Sequence, residues 1–214
     1  MPQRRFRLRA VLVALGLAVS ASGLAQESPP VQAIWKPQEI SFYFQSFTTF
    51  YSCSGLESKL ERILRALGAQ DPTVRVRSAD CPSRVARMPR VVIDVTSPVE
   101  ATPEAIAERD KGKSTRELTA RVQGKRAEAI EGAEQFAANW KRIPLTRGEL
   151  DLEPGDCELI DELRRKVLPK LAVRIVEDDV SCSPHQLSIG QPRLIIEALV
   201  QAPKPDDKET KSEE

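Results

Sequence analysis

The apolar positions along the chain change period several times, and each change marks an element. Leu56, Leu60, Ile63, Leu64 and Leu67 fall at i, i+4, i+7, i+8 and i+11, the spacing of a helix with one buried face. Gly68 follows and stops it, because glycine enters the left-handed conformation that closes a helix without steric cost. From Thr73 to Arg77 valine alternates with arginine, as in a half-buried strand. Val91 to Val95 is a nearly continuous β-branched run, as in a more deeply buried one. Ahead of the helix, Glu39 to Phe47 is rich in aromatics and reads as extended, so the predicted order is strand, helix, strand, strand.

The same order returns about 104 residues later. Cys53 matches Cys157, and Leu56, Ile63, Leu64 and Leu67 match Ile160, Val167, Leu168 and Leu171. Cys81 matches Cys182, Pro89-Arg90 to Asp94 matches Pro192-Arg193 to Glu197, and Trp35-Lys36 matches Trp140-Lys141. Single matches of this kind arise by chance, but so many in one order predict an internal duplication, with units at 35–97 and 140–201. In the second unit the helix is expected over Glu158 to Leu168, ended by Pro169, with strands at Ala172 to Val176 and Leu194 to Val200.

The intervening segment, 98–139, is rich in Ala, Glu, Lys and Arg and is expected to be a charged, mostly helical linker. Thr102-Pro103 suits a helix start, and Ser114 with Glu117 has capping-box spacing. Gly124 and Gly132 interrupt the pattern, and Leu118, Ala120 and Val122 also fit a short strand. Residues 202–214 read as a disordered, solvated tail. The fold class expected is therefore α+β: two related β-α-β-β units joined by that linker.

The first 25 residues have the make-up of a cleavable signal peptide. Arg4, Arg5, Arg7 and Arg9 form a basic start, Ala10 to Val19 an apolar run of ten, and Gly23-Leu24-Ala25 a small-x-small cleavage site. The run is too short to span a bilayer, and no cysteine near the cleavage site offers a lipid acceptor, so no membrane anchor is expected. The product, with residues 26–34 as a lead into the first unit, is expected in the periplasm or outside the cell. Removing the four arginines leaves 28 basic against 31 acidic residues, interleaved along the chain, a balance that argues against nucleic acid.

In an oxidising compartment four cysteines are read as two disulfides. The repeat pairs Cys53 with Cys81 and Cys157 with Cys182, and geometry agrees. A helix of roughly fourteen residues rises about 21 Å, which about seven residues of returning strand retrace. No C-x-x-C redox pair occurs, and Cys182 with His185 lacks the second cluster a zinc site needs, so no metal or cofactor is expected.

Catalytic candidates are few. His185 is the only histidine, the acids nearest it in sequence are Glu177, Asp178 and Asp179, and no nucleophile elbow, phosphate loop or metalloprotease motif is present. A hydrolase or transferase acting on an envelope polymer would have to be built on His185, Asp178 and Asp179. An uneven distribution of rings points elsewhere. Phe42, Tyr43, Phe44, Phe47, Phe50 and Tyr51 place six of the nine aromatics that follow residue 25 in ten positions, whereas Ile143 to Asp156 of the second unit has none. Alternation sets Phe42 and Phe44 on one face and Tyr43 on the other. Rings interleaved with hydroxyls before a helix suit an envelope protein, peptide or glycan, or else they fill the seam between the units. The expected role is thus non-catalytic binding or scaffolding, with self-association into a homo-oligomer through a sheet edge as a further alternative.

Overall fold

A computed structural model describes residues 29–81, 85, 88–122, 135–187 and 192–203. The signal peptide, residues 26–28 of the lead, the tail beyond residue 203, and Gly124 and Gly132 of the linker lie outside these residues. The fold is mixed α+β: six antiparallel strands form one sheet, with helices between them. In chain order the elements are β1 (Val31–Tyr43), α1 (Cys53–Ala66), β2 (Gln70–Arg77), β3 (Arg90–Glu100), α2 (Pro103–Val122), β4 (Phe136–Leu145), α3 (Cys157–Glu162), β5 (Val173–Asp179) and β6 (Arg193–Gln201). The strand order across the sheet is β2-β3-β1-β4-β6-β5.

The junction at the centre is short. β1 pairs with β4 only through Val31–Ala33 and Phe136–Ala138, and beyond that the two strands diverge. This explains prolines that would break a fully paired strand. Pro37, Pro98 and Pro144 each lie where the strand has a neighbour on one side only, and Pro72 sits in the bulge of edge strand β2 between Gln70 and Thr73.

One apolar core serves the whole sheet. Leu56, Leu60, Ile63 and Leu64 of α1 pack with Val74, Val91 and Ile93, and the same cluster takes in Ile143, Leu145, Ile160, Leu163, Val167, Leu194 and Ile196. The period of α1 thus faces the sheet as expected. Gly68 ends it with a φ of +84°: Gly68 N–H donates to Arg65 O and Ala69 N–H to Leu64 O, both at 3.0 Å. A smaller cluster on the opposite face, at the junction, joins Ala33, Ala138 and Leu199, with Phe136 stacked on Trp35 at 4.6 Å.

Several expectations are corrected. β1 begins at Val31 and ends at Tyr43, so Phe44 to Phe47 form a loop rather than the end of a strand. β4 begins at Phe136, inside the segment expected as linker. α2 starts at Pro103 with Thr102 as its cap, Thr102 Oγ1 accepting from Ala105 N–H at 3.2 Å. Ser114 and Glu117 therefore fall in the helix interior, and Leu118, Ala120 and Val122 are helical, not strand.

The second helical run does not end at Pro169. α3 widens into π-helical geometry over Leu163–Val167, and Leu168–Lys170 adds a 3-10 turn that contains Pro169. Widening spares the proline ring its clash with the carbonyl four residues back.

The tryptophan match also fails in register. β1 and β3 place Pro37 opposite Thr96, whereas β4 and β6 place Trp140 opposite Leu199. If Pro89-Arg90 is matched to Pro192-Arg193, Trp140 stands where the first half has Pro37, and Trp35 corresponds to Ala138. A shift of two keeps both indoles on one face, because side chains alternate with period two.

Candidate functional site

The aromatic segment follows β1, and its rings divide by depth. Phe44 is core, 2% exposed, with Tyr51 edge-on to it at 5.7 Å between centroids. Phe42 is half-buried under the ammonium of Lys166, which donates to the Tyr43 carbonyl at 2.7 Å. Tyr43, Phe47 and Phe50 stand in solvent at 62%, 43% and 47% exposure. Alternation therefore runs as expected through Phe42, Tyr43 and Phe44, with Tyr43 alone turned outward.

The loop is shaped by carboxylates from the other half of the chain. Glu158, in the first turn of α3, accepts from the backbone N–H groups of Phe47 at 2.8 Å and Thr48 at 2.9 Å. The hydroxyl of Ser46 donates to the same oxygen, and that of Thr48 to the other at 3.3 Å. Ser46 Oγ in turn accepts from Thr49 N–H at 3.2 Å. Two residues earlier, the buried Asp156 accepts from the Tyr51 hydroxyl, from Lys59 Nζ at 2.6 Å and from Glu153 N–H at 2.7 Å. Thr49 packs over Gly155 so closely that a Cβ there would meet Thr49 Oγ1 at 2.2 Å.

These contacts set the protonation behaviour of the site. Burial pushes the Glu158 carboxyl upward, but the hydrogen bonds from Ser46, Thr48 and Phe47 outweigh it and hold the group below the ordinary carboxylate range. Burial, followed by the charge and hydrogen bond of Asp156, drives the Tyr51 phenol far above its ordinary value.

Both disulfides frame this region. Cys53 bonds Cys81 and Cys157 bonds Cys182, as the spacing predicts, with Cα atoms 6.0 and 5.7 Å apart. Cys53 opens α1 directly after the aromatic loop, and Cys157 lies between Asp156 and Glu158. The second bridge also tethers the turn Ser183-Pro184-His185, closed by Gln186 N–H to Ser183 O at 3.2 Å. That turn brings the exposed His185 ring edge-on to Phe47 at 5.5 Å.

Two of the three acids near His185 in sequence are engaged elsewhere. Asp178 is held by Arg164 at 2.8 Å and Glu177 by Arg193 at 3.2 Å, and among the described residues neither Asp178 nor Asp179 bonds to His185. All four cysteines are in disulfides, so Cys182 is not available to a zinc ion. Among the described residues no helix is long and apolar enough to cross a membrane.

Sequence reasoning missed Asp156 and Glu158. Their positions around Cys157 mark them as helix-start acids, and nothing local shows that they reach a loop more than a hundred residues earlier. Compared with known proteins, the chain matches no family model, no curated protein and no solved structure.

Proposed function

We propose that this chain is an exported, non-catalytic binding or scaffolding protein of the bacterial periplasm or envelope, engaging a protein, peptide or glycan through the loop that carries Phe47 and Phe50. One observation carries the reading: two phenyl rings stand in solvent on a loop whose backbone is fixed by the Glu158 carboxylate. Exposed rings on a rigid loop give contact area with little ordering entropy left to lose. Residues 1–25 supply the export signal in this reading, and two disulfides are compatible with it. The matched strand-helix-strand-strand order is taken as a duplicated unit whose second copy became the support for the first.

The test immobilises the disulfide-bonded protein and exposes it to envelope extract and to soluble envelope glycans. A partner retained by the parent and by a Leu118→Ala control, and lost from Phe47→Ala/Phe50→Ala, is the expected result. Retention by the double variant overturns the reading. N-terminal sequencing of the protein from its host is expected to begin at Gln26, and an intact Met1 would remove the export step.

A second reading, self-association, is favoured by β5. It is an outer strand of the sheet, and Ile175 and Val176 on it are nearly half exposed. Sedimentation that stays monomeric at high concentration counts against it.

A further inference from the structure

We infer that the outer face of the sheet beside the aromatic loop receives an acidic segment of a partner polypeptide, with Arg77 and Arg90 meeting its carboxylates and Tyr43 an apolar side chain next to them. This deepens the reading above by giving the partner's chemistry at the same end of the molecule. Arg90 lies in register with Arg77 on one side and with Tyr43 on the other, so the three form a row across β2, β3 and β1. All three are exposed, while their neighbours Val76, Val91 and Phe44 are buried on the core side. Neighbouring strands are about 4.8 Å apart, which sets two arginines of like charge directly opposite each other, an unfavourable cross-strand pair.

Three of the other arginines on the strands are in ion pairs, and the fourth, Arg142, stands opposite Glu197 in the ladder. Arg75 pairs with Asp94 at 2.6 Å, Arg174 with Glu100 at 3.3 Å and Arg193 with Glu177 at 3.2 Å. Among the described residues Arg77 and Arg90 enter no ion pair and, unlike Arg142, face no acid across the ladder. A guanidinium fork matches a carboxylate with two parallel hydrogen bonds, and the exposed tyrosine beside it offers a flat apolar surface. The row is joined to the aromatic loop through Phe44 N–H, which donates to Pro89 O at 3.0 Å. Two cations suit a short acidic segment. Nucleic-acid affinity accumulates over many phosphate contacts, and the chain after residue 25 has no basic surplus to supply them.

The experiment titrates the disulfide-bonded protein with two extended peptides of equal length, one of Glu, Phe and Ser, the other with Gln in place of Glu. The Glu peptide is expected to bind about tenfold more tightly at low salt, with the gap closing by about 0.5 M salt. In Arg77→Gln/Arg90→Gln the two peptides should bind alike. In Phe47→Ala/Phe50→Ala both should weaken while their ratio persists. Equal binding to the parent, a preference that survives loss of both arginines, or no binding of the Glu peptide at millimolar concentration overturns the inference. Equal binding that is lost in the phenylalanine variant would leave the aromatic surface standing without its acidic partner. A stronger response to a single-stranded oligonucleotide or to anionic phospholipid vesicles than to the Glu peptide assigns the arginines to another class of ligand and also overturns it.

Discussion

The Glu158 carboxylate accepts the Phe47 backbone N–H at 2.8 Å, across 111 residues of sequence. One side chain of α3 thereby decides where an exposed ring of the first half points. Its depressed pKa means that the folded form holds the carboxylate charged while the unfolded chain protonates near 4.5. The stabilisation is therefore complete above that pH and is lost as pH falls through the folded-state value. Glu158→Gln should flatten the acid limb of the stability curve below about pH 5. At neutral pH it should cost about 1 to 2 kcal/mol in urea unfolding, since the carboxylate is only partly shielded from water.

Tyr51 gives the alkaline counterpart. Its raised pKa means that the folded protein keeps the phenol protonated while the unfolded chain ionises from about pH 10 upward, so stability falls as pH rises above that value. In an absorbance titration, Tyr51 is expected to ionise only together with unfolding. Tyr51→Phe should remove that late step, and a smooth titration of both tyrosines without unfolding would contradict the burial of the Tyr51 hydroxyl beside Asp156.

Two glycines with the same backbone angle should respond differently to alanine. Gly68 and Gly148 have φ of +84° and +83°. A Cβ at Gly148 meets nothing within 4 Å, whereas one at Gly68 would lie 2.3 Å from the carbonyl oxygen of Leu199 on β6. Gly148→Ala should cost about 1 kcal/mol, the left-handed strain alone. Gly68→Ala should cost at least about 2 kcal/mol more, because a strand backbone must move. Equal melting of the two variants would show that the turn at Gly68 does not rest against Leu199 of β6 in solution.

The disulfides should be lost in order. Cys157 is 4% exposed, while Cys53 and Cys81 are only partly covered. Limited dithiol should open Cys53–Cys81 first, as seen by mass spectrometry after alkylation. Each bridge closes a separation of 28 or 25 residues, for which chain entropy predicts about 3.5 kcal/mol. Oxidised and reduced protein melting at the same temperature would contradict that contribution.

What was legible in the sequence depended on distance along the chain. The leucine period of α1, the stop at Gly68 and the pairing of cysteines by spacing are local or nearly so, and they were readable. The strand limits were not, because β1 and β4 extend toward a shared junction that neither segment announces alone. Ile175 has the right parity for the core, yet it is nearly half exposed, since coverage depends on where a neighbouring helix lies. The tryptophan match misled because an outward indole two residues out of step remains on the same face. Composition could locate the cluster of rings, but not that the core takes Phe44 and Asp156 holds the part-buried Tyr51 while Phe47 and Phe50 stand exposed.

The carboxylates of Asp156 and Glu158 also impose an order in time. A ribosome makes Phe47 first and Glu158 only 111 residues later, so a nascent chain that has passed the aromatic loop still lacks the groups that give it a shape. The ring-bearing surface is thus withheld until the C-terminal half is made, and a truncated chain would carry the rings without the geometry that presents them.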